Sequence, residues 1–207
     1  MNLLFSNSFF FSFIIMDKIT ILFLGPSKCG KTALCKTFIS EEGVIVDVDS
    51  ISPTSSVDVH HTTRVLEDVE RSIDLVDPSG APILAEATDM LVRSKFAADG
   101  VIYVFSTQEK RQFPAHVMHS YQQVALRPGI MGIKYGRKVP ALLLGTRVGD
   151  GERKITSEEA AYVANTMDME YKEVGLEDAE TTKKVIDDFI RTAFDAKKRN
   201  PYFAPKQ

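Results

Sequence analysis

The run Gly25-Pro26-Ser27-Lys28-Cys29-Gly30-Lys31-Thr32 sets a glycine, four intervening residues and then Gly-Lys-Thr. It follows the apolar stretch Ile19–Leu24 and leads into residues of helical character. In that context the spacing has a chemical meaning. A curled backbone turns successive N–H groups inward, and the start of the following helix adds its own, so that anionic oxygens are held from several sides. The Lys31 ammonium reaches the outer phosphates of a nucleoside triphosphate. The Thr32 hydroxyl is an oxygen ligand suited to magnesium. Ser27, Lys28, Cys29, Gly30 and Ala33 belong to the same cradle, chiefly through their backbones. Asp77, at the end of the apolar stretch Ser72–Val76, is placed to hold magnesium through a water. Gly80, three residues later, is placed to offer a backbone N–H to the terminal phosphate. Thr54, in the polar loop Ser50–Ser56, offers a hydroxyl to magnesium and an N–H to that phosphate.

These residues need elements to position them. Ile19–Leu24 reads as a strand buried on both faces. Thr32–Ser40 reads as a helix, and Gly43–Val48 as β-prone residues leading into the polar loop. Val57–Leu66, with its alternating Val59 and Thr63, reads as a strand, as do Ser72–Val76, Gly100–Phe105, Val139–Leu144 and Glu170–Val174. Ile83–Phe96 and Phe113–Leu126 have helical spacing. Arg127–Gly136, with three glycines and a proline, is a loop. A helix opens near Ser157, with Thr156 or Ser157 as its cap and acidic residues in its first turn. Asp178–Lys198 is a long helix with Val185, Ile186, Phe189, Ile190, Ala193 and Phe194 on one face. Strands and helices alternate, which predicts an α/β fold: a mainly parallel six-stranded sheet with helices on both faces.

The chain has 207 residues, enough for one domain with a full core. Its apolar (44%) and charged (26%) fractions suit a globular protein, and its net charge of -3 argues against a general nucleic-acid binder. The cluster Lys197-Lys198-Arg199 reads as the solvated end of a helix. Cys29 lies in the glycine-rich loop and Cys35 just beyond it, which does not resemble a disulfide framework and points to a reducing compartment. Residues 1–16 are hydrophobic, without a positive n-region or a cleavage site, and too short for a spanning helix. Met16-Asp17-Lys18 reads as a natural start, so the domain is expected over residues 17–196. The earlier residues are then an extension, the competing reading being a hydrophobic anchor. Residues 197–207 form a polar tail. His60-His61 and His116/His119 have metal-compatible spacings, but no cysteine or acid completes either set.

In this order, Gly25–Thr32, Thr54 and Asp77–Gly80, with the long final helix, resemble the Ras-like small GTPases. The resemblance implies a P-loop G domain over residues 17–196 that binds GTP or GDP with Mg2+. It implies that Thr54 and Gly80 act as springs released when the γ-phosphate is lost. It also places Thr146 and Arg147, in Gly145-Thr146-Arg147-Val148-Gly149-Asp150, where the family reads its base with N-K-x-D. Several departures bear on function. Ala81 stands where these proteins carry the glutamine that orients the attacking water, so no catalytic residue is assigned and slow or absent hydrolysis is expected. Ser27 replaces a frequent glycine. The base-reading aspartate is Gly149, with Asp150 one residue late, which leaves guanine and adenine both open on the residues alone. The usual S-A-K loop is Gly175-Leu176-Glu177. No cysteine follows Cys35, so no prenyl anchor is expected, and N-myristoylation is likewise unsupported.

Within the superfamily the chain resembles the Rab-like subunits of the intraflagellar transport B complex. The resemblance rests on Lys18-Ile19, Ile21-Leu22-Phe23-Leu24-Gly25-Pro26, Ser52-Pro53-Thr54 and Asp99–Phe105. It implies a nucleotide-bound adaptor on coiled-coil subunits of that complex, in the cytoplasm and in a cilium or flagellum. The Thr54 loop and the Ile83–Phe96 helix are the expected partner face. Two alternatives stay open. One is a cycling Rab-like or Ras-like switch with an activating protein. The other is a P-loop kinase, although Arg64, Arg71, Arg93, Arg127, Arg137 and Arg147 are scattered and form no lid.

Overall fold

The computed structural model describes residues 18–40, 50–52, 56–78, 80, 98–111, 113–125 and 139–199. The expected features at Gly43–Val48, Thr54, Ala81 and Ile83–Phe96, together with residues 1–16 and 200–207, lie outside these. So does the whole Arg127–Gly136 loop.

Six strands and four helices follow one another along the described chain. They are β1 (Lys18–Leu24), α1 (Lys31–Ile39), β2 (Val57–Leu66), β3 (Val69–Pro78), β4 (Gly100–Ser106), α2 (Ala115–Ala125), β5 (Ala141–Arg147), α3 (Ser157–Thr166), β6 (Glu170–Gly175) and α4 (Ala179–Lys198). The strands form one sheet in the order β2-β3-β1-β4-β5-β6. β3, β1, β4, β5 and β6 run parallel, and β2 pairs antiparallel with β3. The expected α/β architecture is therefore present.

The sheet is central because its inner strands are apolar on both faces. In β1, Ile19, Ile21 and Phe23 point to one side, where they pack with Leu34 and Phe38 of α1 and Ile186 and Ile190 of α4. Leu22 points to the other side and joins Tyr103, Leu143, Val117 of α2 and Ala160 and Ala164 of α3. Each face thus buries its own cluster.

Element ends differ from the expectation in ways that matter for the site. β3 begins at Val69, not Ser72, because it continues a hairpin. Leu66 pairs with Val69 across Glu67-Asp68, both of which have positive φ (51° and 60°). That is the backbone a two-residue turn of type I′ demands. β5 starts after Pro140, which has no N–H to give a ladder. It then runs on through Thr146 and Arg147, paired with Val174 and Gly175 of β6. Polar residues at a strand end look like loop in a sequence, yet the parallel ladder continues through them. α2 starts at Ala115, not Phe113, since a residue preceding proline disfavours helical backbone.

α3 is capped by Thr156, whose hydroxyl accepts from Glu159 N while the Glu159 carboxylate accepts from Thr156 N. α4 is capped by Asp178, which accepts from Thr181 N at 3.0 Å. The last turn of α4 is tied to the start of β1. Lys197 Nζ donates to Lys18 O (2.7 Å) and to Asp99 Oδ2 (3.0 Å), and the same carboxylate oxygen accepts from Thr20 N (3.0 Å). Burial pushes the Asp99 carboxyl above its usual range, and the Lys197 ammonium opposes that rise. Among the described residues no helix is long and apolar enough to cross a membrane.

Candidate phosphate-binding site

The loop joining β1 to α1 sits at the C-terminal ends of the parallel strands, the edge where open α/β sheets bind their ligands. Its shape has two sources. Lys28 (φ 65°) and Gly30 (φ 95°) are both left-handed and flank Cys29. Alternation of that kind folds backbone amides into a concave nest. The curl therefore uses one lysine as well as a glycine. Gly25 serves close approach instead: a Cβ there would lie 2.2 Å from Val104 O and 2.8 Å from Cys29 Sγ.

Lys31 opens α1 and is 6% exposed. Its Nζ donates to Gly25 O at 3.0 Å and Pro26 O at 3.1 Å, so the ammonium bridges the mouth of the loop. The buried ammonium is matched to carbonyl dipoles and remains within the loop that would receive phosphate. Thr32 donates its hydroxyl to Asp77 Oδ2 at 2.5 Å. Asp77 is fully buried at the end of β3. A hydroxyl and a carboxylate in contact form a hard oxygen pair. It fits magnesium, which takes one or two protein oxygens and fills its shell with phosphate and water. Among the described residues no group of three or more His, Cys, Asp or Glu could hold a metal by itself.

Gly80 lies on the loop. A Cβ there would stand 2.5 Å from Pro26 C and Ser27 N, and the Gly80 carbonyl accepts from Ser27 N at 3.1 Å. The Ser27 amide, expected among the phosphate donors, is thus engaged by Gly80. The remaining cradle runs from Lys28 through Ala33. Ser27 and Lys28 are exposed, whereas Cys29 and Ala33 are buried. Burial raises both cysteine thiols above their ordinary pKa, with Lys31 opposing the shift, so Cys29 and Cys35 stay protonated and free. A cleft of about 430 Å³ opens beside the loop, between Pro26–Cys29 on one side and the end of β4 (Phe105, Ser106) and the start of α2 (His116) on the other.

The ends of β5 and β6 close the site. Thr146 is buried and directs its hydroxyl to Cys29 O (2.7 Å) and Phe105 O (3.2 Å). It therefore braces the phosphate loop from below. Arg147, half-buried, ends β5, and its carbonyl accepts from Leu176 N at 2.8 Å. Leu176 packs on Gly30, where a Cβ would lie 2.9 Å from Leu176 Cδ1 and 3.4 Å from Thr146 Cγ2.

Two residues that sequence reasoning missed shape the loop after β5. Gln108 donates to Val148 O (3.0 Å) and accepts from Val148 N (3.1 Å), a two-point backbone clamp. Glu177 accepts from Gly149 N at 3.3 Å. Neither pairing leaves a sequence signal, because each joins segments distant along the chain through main-chain atoms. His61 contacts Asp74 at 2.7 Å and His116 contacts Ser120 at 3.3 Å.

Residues 20–195 match the Ras family. A comparison with curated proteins gave no match. The matched span runs from β1 into α4 and takes in the loop Gly25–Thr32, the Thr32–Asp77 pair and the sheet that carries them. The chain belongs to the Ras family.

Proposed function

We propose that this small GTPase binds guanine nucleotide with Mg2+ and works as a Rab-like adaptor of the intraflagellar transport B complex. In that role it engages coiled-coil partner subunits in its triphosphate form and hydrolyses GTP slowly or not at all. The observation that carries the binding half is the meeting of Lys31, Thr32 and Asp77 at the C-terminal ends of β1 and β3. Ras-family GTPases bind guanine nucleotide and typically Mg2+. Here Thr32 and Asp77 would hold the ion, which when bound offsets phosphate charge and fixes the orientation of the outer phosphates. Lys31 exchanges its two carbonyl partners for phosphate oxygens. The loop amides from Lys28 onward supply neutral donors. Thr146 keeps the loop in its curled form.

The adaptor half rests on sequence. Ser52-Pro53-Thr54 and the β1 pattern resemble the Rab-like transport subunits, and Ala81 offers no group to orient water. Such a protein is expected in the cytoplasm and in a cilium or flagellum.

The test begins with native protein, denatured so that any bound nucleotide is released and identified by chromatography. Guanine nucleotide is expected. In titrations, Lys31→Ala should weaken triphosphate binding at least about 30-fold, the loss of a charge-assisted contact. Undiminished binding by that variant would refute the site. Capture of coiled-coil subunits by the GTP-loaded but not the GDP-loaded chain would support the adaptor role, and equal capture by both would count against it.

A further inference from the structure

We propose that Glu177 supplies the carboxylate that reads the guanine edge, in place of the aspartate that the family pattern puts at position 149. The inference rests on the nucleotide reading above and adds the residue that selects the base.

Three departures from the pattern meet at one point. Position 149 is glycine and carries no side chain, and nothing lies within 4 Å of where its Cβ would be. Position 175 is also glycine, and a Cβ there would stand 2.8 Å from Glu177 Oε1 and 3.1 Å from its Cδ. Position 177 is an exposed glutamate whose carboxylate folds back over Gly175 and accepts from Gly149 N at 3.3 Å. Loss of the Gly149 side chain opens space, loss of the Gly175 side chain clears the path, and Glu177 brings an acidic group to the same rim.

The rim adjoins the phosphate cradle. Leu176, one residue before Glu177, packs on Gly30, and Thr146, three residues before Gly149, bonds to Cys29 O. The family pattern reads the base at Thr146–Gly149, so a nucleoside whose phosphates sit on Gly25–Thr32 would extend across the ends of β5 and β6. Gln108, clamped to both backbone atoms of Val148, holds the loop between these residues in register.

The chemistry favours one base. A carboxylate only accepts. Guanine presents N1–H and the 2-amino group side by side, two donors that match its two oxygens. Adenine presents a donor beside the N1 lone pair, which a carboxylate repels. Lost pairing of this kind discriminates strongly, because a desolvated polar group is left without a partner.

The experiment measures affinities of the full chain for guanosine, inosine, xanthosine and adenosine diphosphates, in wild type and Glu177→Gln. The glutamine keeps an oxygen for Gly149 N–H, so the loop retains its support. Wild type should prefer guanosine over adenosine diphosphate by about 100-fold or more, and over inosine diphosphate, which lacks the 2-amino group, by about tenfold. Glu177→Gln should lose most of that preference and gain xanthosine diphosphate by about tenfold, since its amide offers a donor to the added carbonyl. Unchanged guanosine affinity and an unchanged inosine ratio in Glu177→Gln would overturn the assignment and leave the phosphate site standing. Equal wild-type affinity for guanosine and adenosine diphosphates would do the same. A wild type that binds none of the four overturns the nucleotide reading and the assignment together.

Discussion

Thr146 shows how a residue found by its motif can carry a bond that the motif does not reveal. Its place after β5 is that of the family's base-reading sequence. Its hydroxyl lies between two backbone carbonyls, nearer to Cys29 O. It has one proton to give, so Thr146→Val removes that bond while keeping the volume. The stranded buried carbonyl should cost about 1–3 kcal/mol. For a chain of this size that lowers the thermal midpoint by about 2–12 °C, with Thr146→Ser close to wild type. Calorimetric unfolding of the three proteins checks this. The phosphate loop was legible because its chemistry is contiguous: spacing, flanking strand and following helix lie within Ile19–Ser40. Gln108 and Glu177 were not, because their partners are the amides of a loop 40 and 28 residues away.

Among elements, strand identity was readable and strand ends were not. The period-two pattern of Val57–Leu66 is that of a strand with one covered face, and the structure places it at the sheet edge. The partner strand was read three residues short because Val69–Ser72 is mostly polar and exposed. The signal that would have joined the two is weak. Glu67-Asp68 holds φ values that Asn-Gly adopts at little cost, and left-handed backbone costs a residue with a Cβ about 1–2 kcal/mol. Replacing the pair with Asn-Gly should therefore raise stability by about 0.5–1 kcal/mol, the relief being partly offset by the extra freedom of glycine in the unfolded chain. A higher urea midpoint with an unchanged slope is the expected result, and no shift would show the turn to be unstrained.

At the level of the whole molecule, alternation of strands and helices was enough for the fold class, but the order β2-β3-β1-β4-β5-β6 depends on contacts that no local pattern encodes. The assembled fold also sets a pH response. Burial lowers the pKa of His60 and of His116. The unfolded chain takes up these protons near pH 6.5, whereas the folded chain resists them. Stability should be full well above that value and fall as the pH drops through it towards about 5.5. The raised Asp99 carboxyl acts in the opposite sense and at lower pH, because there the folded state binds the proton more readily. Denaturant titrations across this range check the direction. His60→Gln should flatten the decline, and an equally steep decline in that variant would remove His60 from the account.

The bond from Lys197 to the carbonyl of Lys18 joins the last turn of the final helix to the first residue of the first strand. The start of β1 and the end of α4 therefore meet at one pole, the N-terminal edge of β1, while the phosphate loop occupies the opposite pole. A tether attached at Lys18 or Lys198, whether a fused protein or a surface support, holds the molecule with its nucleotide mouth facing away. A circularly permuted chain, with residues 18 and 198 linked and new ends opened at Glu67-Asp68, should keep that mouth intact.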